Sequence, residues 1–529
     1  MSKKILLNQC GYIPEWKKQV TFISDSPVKF EVRRSDGTTV YSGEATTHIN
    51  SVSAKESDYI GDFSDVCEEG LYYIYAEPFG ESDYFMISNR SYADAFTKAI
   101  YFFYLQRCGE NLPKDSKVAG VFGHEACHTT PARIYNTDEF IEVNGGWHDA
   151  GDYGRYIVPA AMTVAQLLMS YEKYPEIGKL VKNPVKSDSL PAFLQEIKYE
   201  LDWMMKMQRP DGSVYHKVSC KRFCIFIMPD EEKDELIVSP VSVTATADYA
   251  AALAMAVRFF EPYDAEYAMK LKECSIKAYE ALSWLSLPGG FINPEGIVTG
   301  QYEDDCDIDE KYWAAAELYK AFGNSKYRAD FEKLASDKIY HGYGWSAMGS
   351  YGNIAYLSAD NIDSGIADKI KKEMISLADN LLDVAVNDAY GVSLKATEYI
   401  WGSNLSVACN GVHLWDAYTL TGEVKYLDAA REQLNYLFGR NPMGLCYITG
   451  CGTDPIKRPH HRPSGYLGIP MPGMLSGGPC DWMADPIAQN TLSKDVPARC
   501  LADQTGSYST NEVTIYWNSA LILLMADLH

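Results

Sequence analysis

No run of about 18 consecutive apolar residues, the length a membrane-spanning helix needs, occurs in this 529-residue chain, and no membrane partner is expected. The N-terminus has little that could serve as a secretory signal: Lys3 and Lys4 are followed by only Ile5, Leu6 and Leu7 before the polar Asn8. Positive charge is scarce. With 48 Lys and Arg against 71 Asp and Glu the net charge is −23, which argues against nucleic acid and anionic membranes and suits a neutral or cationic ligand. The thirteen cysteines are odd in number and show no framework spacing, so a disulfide scaffold is excluded in favour of free thiols in a reducing compartment. The expected location is the cytoplasm, a trimmed secreted protein being the alternative.

What is abundant is apolar and aromatic residue. A hydrophobic fraction of 47% supports a large core, and 38 Tyr and 10 Trp offer either an aromatic-rich interior or flat faces on which sugar rings stack. The length predicts two to four domains, or fewer if one is a large helical barrel. Residues 1–88 carry short alternating runs such as Lys29–Arg33 and Gly70–Ala76 between turn clusters, and read as a small all-β sandwich. From residue 92 the apolar period becomes helical, with helices expected at 92–107, 159–174, 190–208, 242–260, 264–284, 308–322, 326–336, 366–384, 405–421, 424–437 and 511–527. Eleven is one short of the twelve that six helical hairpins require. The long segments at 109–158, 209–240, 286–307 and 440–509 exceed ordinary connections and are where a groove would be built.

The densest chemistry lies in Gly145-Gly-Trp-His-Asp-Ala-Gly-Asp-Tyr153. Its glycines permit φ > 0 and allow Asp149 and Asp152 to share one rim. Both acids lie upstream of the helix expected from Pro159, whose positive end favours ionised carboxylates suited to a general base. A helix cap at Asp152 and a turn at Asp149 would give the same residues.

Cys108, Cys127, His128 and His148 are metal-ligand types that could close a tetrahedral structural zinc site, or could simply be buried thiols and surface imidazoles. The run Tyr302-Glu-Asp-Asp-Cys-Asp-Ile-Asp-Glu310 holds clustered oxygens at Asp305, Asp307, Asp309 and Glu310 that could bind Ca²⁺. It lacks the glycine-turned loop of an EF-hand, and acids in a helix's first turn are the other reading.

Three ordered motifs, Gly145–Tyr153, Pro459-His-His-Arg-Pro-Ser464 and Asn511-Glu-Val-Thr-Ile-Tyr-Trp-Asn518, resemble the signature regions of glycoside hydrolase family 9. Asn8-Gln-Cys-Gly-Tyr-Ile-Pro14 resembles the immunoglobulin-like domain that precedes the barrel in one branch of it. The resemblance implies an immunoglobulin-like sandwich over 1–88, an (α/α)6 barrel over 89–529, and an inverting hydrolase of β-1,4-glucans or cello-oligosaccharides. It implies Asp152 as general base with Asp149 as its partner, Glu512 as general acid, and His460, Arg462 and Tyr508 as sugar contacts. It also implies zinc at Cys108, Cys127, His128 and His148, calcium near Asp305, Asp307, Asp309 and Glu310, and no organic cofactor. Asp503, Tyr508 and Glu512 satisfy the last signature; Leu501 departs from it where the family usually has an aromatic residue. An exo-glucosaminidase on chitosan fragments, a non-catalytic sugar-binding protein and a metallohydrolase are the competing readings. The second is disfavoured by the intact carboxylates and the third by a closed ligand set.

Overall fold

A computed structural model describes residues 3–177 and 190–528; Met1, Ser2, 178–189 and His529 lie outside the described residues. The chain forms two compact units, Met1–Phe102 with Ile375–His529, and Phe103–Met374.

The first unit begins with two antiparallel sheets. One orders Ile5–Leu6, Gln19–Ile23, Glu56–Asp62 and Thr47–Ser51; the other orders Thr39–Ala45, Val28–Arg34 and Gly70–Ala76, the last also pairing with Gly80–Glu81 and Phe85–Ile87. Strand Val28–Arg34 shows why: Val28, Phe30 and Val32 point inward while Lys29 is exposed, the period-two pattern of a half-buried strand. The inward residues join Tyr12, Phe22, Phe63, Ile74 and Phe85 in one core, where Tyr12 meets Phe63 and Phe85 edge-on at 5.3 and 5.5 Å. The same unit holds the hairpin Ser403–Thr421 and Val424–Leu437, reversed at Gly422 with φ +71°, and the wholly buried helix Ile515–Asp527. Asn8 joins the strands to this hairpin through Asn435 (2.8 Å).

In the second unit, Ile157–Lys173, Val243–Phe260, Ile308–Phe322 and Gly349–Leu357 pack in succession and are buried on nearly every side. Between them the chain returns through the amphipathic helices Ala192–Lys206, Ala265–Ala281 and Ser325–Asp337. Each expected helix has a counterpart within a few residues. Two differences are informative. The span expected at 511–527 is broken at Glu512, which leaves the helical conformation (φ −69°, ψ 168°) between Tyr508–Asn511 and Ile515–Asp527. Gly349–Leu357 has no counterpart among the expected helices, and its Gly349 and Gly352 weaken the helical pattern; Gly352 is there for space, since a Cβ would come within 2.7 Å of the Tyr312 ring.

The long segments read as loop build a small mixed sheet, ordered Phe140–Ile141, Ala132–Ile134, Ile237–Val238, Lys217–Ser219, Arg155–Tyr156. Strands of two or three residues give too short a pattern to read. Helix Val243–Phe260 is long and apolar enough to cross a membrane, but 89% of it is buried inside the protein; Thr244, Thr246, Asp248 and Arg258 interrupt its apolar run.

Candidate active site

The Gly145–Tyr153 stretch is a fixed loop. Gly145 and Gly146 take φ +103° and +77°, and a Cβ on Gly146 would lie 2.7 Å from the Trp203 indole. Backbone N–H of Trp147 donates to Glu200 (2.6 Å) and its indole N–H to Glu196 (2.9 Å), while Arg107 pairs with Glu196 through two nitrogens. Burial drives the Glu200 carboxyl well above its ordinary range, the Trp147 N–H opposing. Arg155 donates to the carbonyls of Val143 and Gly145 at 2.6 and 2.8 Å.

Each acid of the loop has its own tyrosine. Asp149 is 1% exposed and accepts from the Tyr302 hydroxyl; its N–H donates to Gly154 O (3.0 Å). Asp152 is 7% exposed and accepts from Gly154 N–H at 3.0 Å and the Tyr156 hydroxyl at 3.2 Å. Tyr156 and Tyr302 meet edge-on at 5.0 Å, and Trp345 packs on Tyr302 at 5.3 Å. Tyr302 holds φ +50°, a conformation that non-glycine residues occupy mainly where surroundings dictate it. Asp152 is no helix cap: the following helix begins after Tyr156, which makes no side-chain cap. Burial, reinforced by the charges of Asp152 and Asp149, holds the Tyr156 phenol protonated and hence a donor.

Glu512, His460 and Tyr508 come together in the other unit. Glu512 forms an isolated parallel bridge with His460, His460 N–H donating to Asn511 O (2.8 Å), and Gly477 N–H donates to Glu512 O (2.8 Å). Asn511 is locked by Arg458 O and Asp503 through its amide and by Ser476 at its carbonyl. His460 Nδ1–H donates to Thr505 O (2.7 Å), which fixes the ring and leaves Nε2 without the proton at neutral charge. Tyr508 lies between Trp401 and His460, with centroids at 5.6 and 5.8 Å. Arg462 is buried at the start of Arg462–Leu467.

Cys108, Cys127, His128 and His148 are all buried with ligand atoms within 4.8 Å of one another. Cys108 Sγ lies 3.6 Å from His128 Nδ1, and Cys127 Sγ lies 4.0 Å from Cys108 Sγ and 3.7 Å from His148 Nε2. Zn–S bonds of about 2.3 Å and Zn–N bonds of about 2.0 Å give a tetrahedron with edges of about 3.3 to 3.8 Å, so these residues fit the ion. His128 Nε2–H donates to Glu232 (2.9 Å), the outer contact that fixes a ligating imidazole.

The acidic run is not gathered in this way. Asp305 is exposed and Asp307 pairs with Lys311 at 2.9 Å. Asp309 turns inward to accept from Met348 N–H at 2.8 Å, and Glu310 is fully buried with both oxygens lacking a hydrogen bond. The carboxylates that join them electrostatically are Asp304 and Asp248, not Asp305 and Asp307.

Sequence reasoning missed Tyr156, Tyr302, Glu232 and Asp248. Tyr302 adjoins the acidic run and Tyr156 follows the loop motif, but neither pattern points to a carboxylate; Asp248 sits inside an alanine-rich helix with no local signal.

Residues 92–525 match the family model of glycosyl hydrolase family 9, and residues 1–81 match a cellulase N-terminal ig-like domain. The chain is 38% identical to Endoglucanase D of Acetivibrio thermocellus, over 99% of this chain and 83% of that protein, and 36% identical to a Cellodextrinase of Butyrivibrio fibrisolvens, over 99% and 100%. A solved endoglucanase in complex with cellobiose-like isofagomine superposes with a TM-score of 0.94 at 33% identity, covering 99% of each chain. A family 9 endoglucanase solved as a Zn-binding triple mutant gives 0.92 at 30% identity, covering 98% of this chain and 99% of that one. The fold is therefore a β-sandwich followed by an all-α (α/α)6 barrel domain. Loop motif, paired acids, ordered signatures and likeness from end to end agree: the chain belongs to glycosyl hydrolase family 9, in the branch that carries an N-terminal immunoglobulin-like domain.

Proposed function

We propose that the protein hydrolyses β-1,4-glucosidic bonds of cellulose-type glucans or cellodextrins with inversion, Asp152 serving as general base, Asp149 as its partner and Glu512 as general acid. The observation that carries this is the pair of carboxylates at 149 and 152, each held by a separate phenol. Asp152 accepts from Gly154 N–H and the Tyr156 hydroxyl, which orient it, and at 7% exposure it retains access to water. Glu512 donates its proton to the leaving oxygen while Asp152 takes one from the attacking water, an arrangement that requires about 6.5–9.5 Å between the carboxyl groups. His460, Arg462 and Tyr508 contact the sugar. The domains are residues 1–88 and 89–529. The match to a cellodextrinase over its whole length favours short soluble chains as substrate, and thirteen cysteines without framework spacing support a reducing compartment, the cytoplasm.

Zinc held by Cys108, Cys127, His128 and His148 supplies rigidity and no chemistry, four protein ligands leaving no position for water. Through His148 it anchors the loop carrying Asp149. Calcium belongs to the buried acids: Asp309 and Glu310 would be joined by Asp304 and Asp248, whose unpaired oxygens a cation would satisfy.

Early-time NMR of cellopentaose hydrolysis is expected to show the α-anomer first. Asp152→Asn should lower kcat by about 10³-fold or more with unchanged melting temperature, and Glu512→Gln should spare an activated aryl glycoside relative to cellodextrins. A β-anomer as first product, or cleavage of chitosan oligomers in preference to cellodextrins, would overturn the reading.

A further inference from the structure

Lys217 is completely buried, and no carboxylate accepts from it. Its ammonium donates to Gly300 O at 2.5 Å, Thr299 Oγ1 at 3.0 Å and Thr299 O at 3.3 Å, which uses all three of its protons. It also lies 5.4 Å from the centroid of the Tyr156 ring. Its backbone pairs with Tyr156 in the small sheet, the register placing Tyr156 opposite Lys217 and Arg155 opposite Val218. One residue thus touches both supports of the loop acids. On one side is the strand that ends in Tyr156, the donor to Asp152; on the other is segment 299–302, which ends in Tyr302, the donor to Asp149.

The neighbours of Lys217 reinforce this grip. His216 Nε2–H donates to Gln301 O at 2.8 Å, and Ser219 exchanges a hydrogen bond with Thr299 Oγ1 at 2.8 Å. Residues 216, 217 and 219 therefore all fasten 299–301, immediately before the left-handed Tyr302. A chain segment that ends in an unfavourable φ needs such fastening to present its hydroxyl in one place.

A buried ammonium bonded only to neutral oxygens is expensive unless a nearby anion compensates it. Burial pushes Lys217 down to about 7, and the Asp152 carboxylate alone opposes that fall. The groups around it are Asp152 on the loop, Tyr156 on the paired strand and His216 beside it, which burial keeps neutral; segment 299–301 contributes uncharged acceptors.

We propose that Lys217 is a positioning residue for hydrolysis: its ammonium and its strand lock the two tyrosine-bearing segments, 155–156 and 299–302, to one another and so fix the hydroxyls that meet Asp152 and Asp149. It rests on the assignment of Asp152 as general base.

The test is Lys217→Met, which keeps the stem and removes the charge and its three donors, measured as kcat and KM on cellopentaose. A misplaced pair of hydroxyls should lower kcat about tenfold or more while KM changes less than about threefold. Lys217→Arg, which restores the donors, should return most of the lost kcat. A Lys217→Met enzyme whose kcat matches the parent overturns the proposal. So does one in which KM rises at constant kcat, since that is loss of substrate binding and not of positioning. If circular dichroism shows that Lys217→Met does not fold, Thr299→Val decides: it removes one acceptor of the ammonium at constant shape and should lower kcat about threefold at constant KM, whereas an unchanged kcat overturns the proposal. Asp152→Asn is measured alongside. If it stays active, the base assignment fails; if it is inactive and Lys217→Met keeps the parent kcat, only the role of Lys217 fails.

Discussion

Two clusters of metal-ligand residues in the second compact unit, the Cys/His quartet and the buried acids, differ in how the protein has prepared them. The quartet draws Cys108, Cys127, His128 and His148 from one stretch of 41 residues, with all donor atoms within 4.8 Å and three spacings of 3.6, 3.7 and 4.0 Å close to the edges of a coordination tetrahedron. Glu232 stands behind His128, and Cys108 N–H is tied to Gly146 O (2.8 Å) in the Gly145–Tyr153 loop. The acids are concentrated but not composed. Asp248 and Glu310 carry four carboxylate oxygens with no hydrogen-bond donor, Asp304 one more, and burial with mutual repulsion drives Asp248 and Glu310 well above the usual carboxylate range and Asp304 to about 6. The quartet thus holds a shape fitted to one ion. The acids hold a debt of charge that a cation or protons can settle.

The largest effect expected from this contrast comes from Cys127→Ser. Removing one ligand of a closed site should release zinc, lower the melting temperature by roughly 10 °C and reduce kcat about tenfold, because His148 adjoins Asp149 and small displacements of a reacting group are costly. Metal analysis and calorimetry on the same preparations check it. Fully active parent protein without stoichiometric zinc would remove the distinction drawn between the clusters.

The acids should answer to pH and calcium together. A carboxyl whose folded pKa is raised keeps its proton in the native state after the unfolded chain has lost it, so its contribution to stability is present at low pH and declines as pH rises from about 4 through the folded value. For Asp304 that window runs to about 6, and for Asp248 and Glu310 it extends higher. Calcium competes with those protons, so it should stabilise more at pH 8 than at pH 5, by about 2.7 kcal/mol at a hundredfold excess over its dissociation constant. Glu310→Gln should abolish the calcium response and flatten the pH dependence. Melting curves that ignore calcium at pH 8 would leave the cluster as protonated acids only.

The same contrast explains what could be read in the sequence. His148, Asp149, Asp152 and Glu512 sit in motifs whose order along the chain carries the resemblance, and helices such as 424–437 announce themselves by period. The small sheet does not: strands of two residues, such as Arg155–Tyr156 and Ile237–Val238, are set by pairing across long sequence separations. Tyr302 and Tyr156 acquire their roles only when that pairing forms. Asp305 and Asp307 are neighbours of Asp309 in sequence, but successive residues at the start of a helix point in different directions, and only some of them can face inward. The acid that acts most strongly on Glu310 is Asp248, remote in sequence.

The smallest expected effect is therefore the sharpest check on which acids belong together. Asp307 is about a third exposed and forms an i,i+4 pair with Lys311, an arrangement worth about 0.3 to 0.5 kcal/mol at a surface. It also precedes Ile308–Phe322, where an anion near the helix N-terminus gains a few tenths of a kcal/mol more. Asp307→Asn should accordingly lower stability by less than about 1 kcal/mol, most of it screened at 0.5 M salt. It should leave the calcium-induced rise in melting temperature at pH 8 unchanged. If Asp307→Asn instead removed that rise as Glu310→Gln is expected to, the cation would have to be held at the exposed end of the run, and the buried carboxylates of Asp248 and Glu310 would be neutral acids with no ion to face.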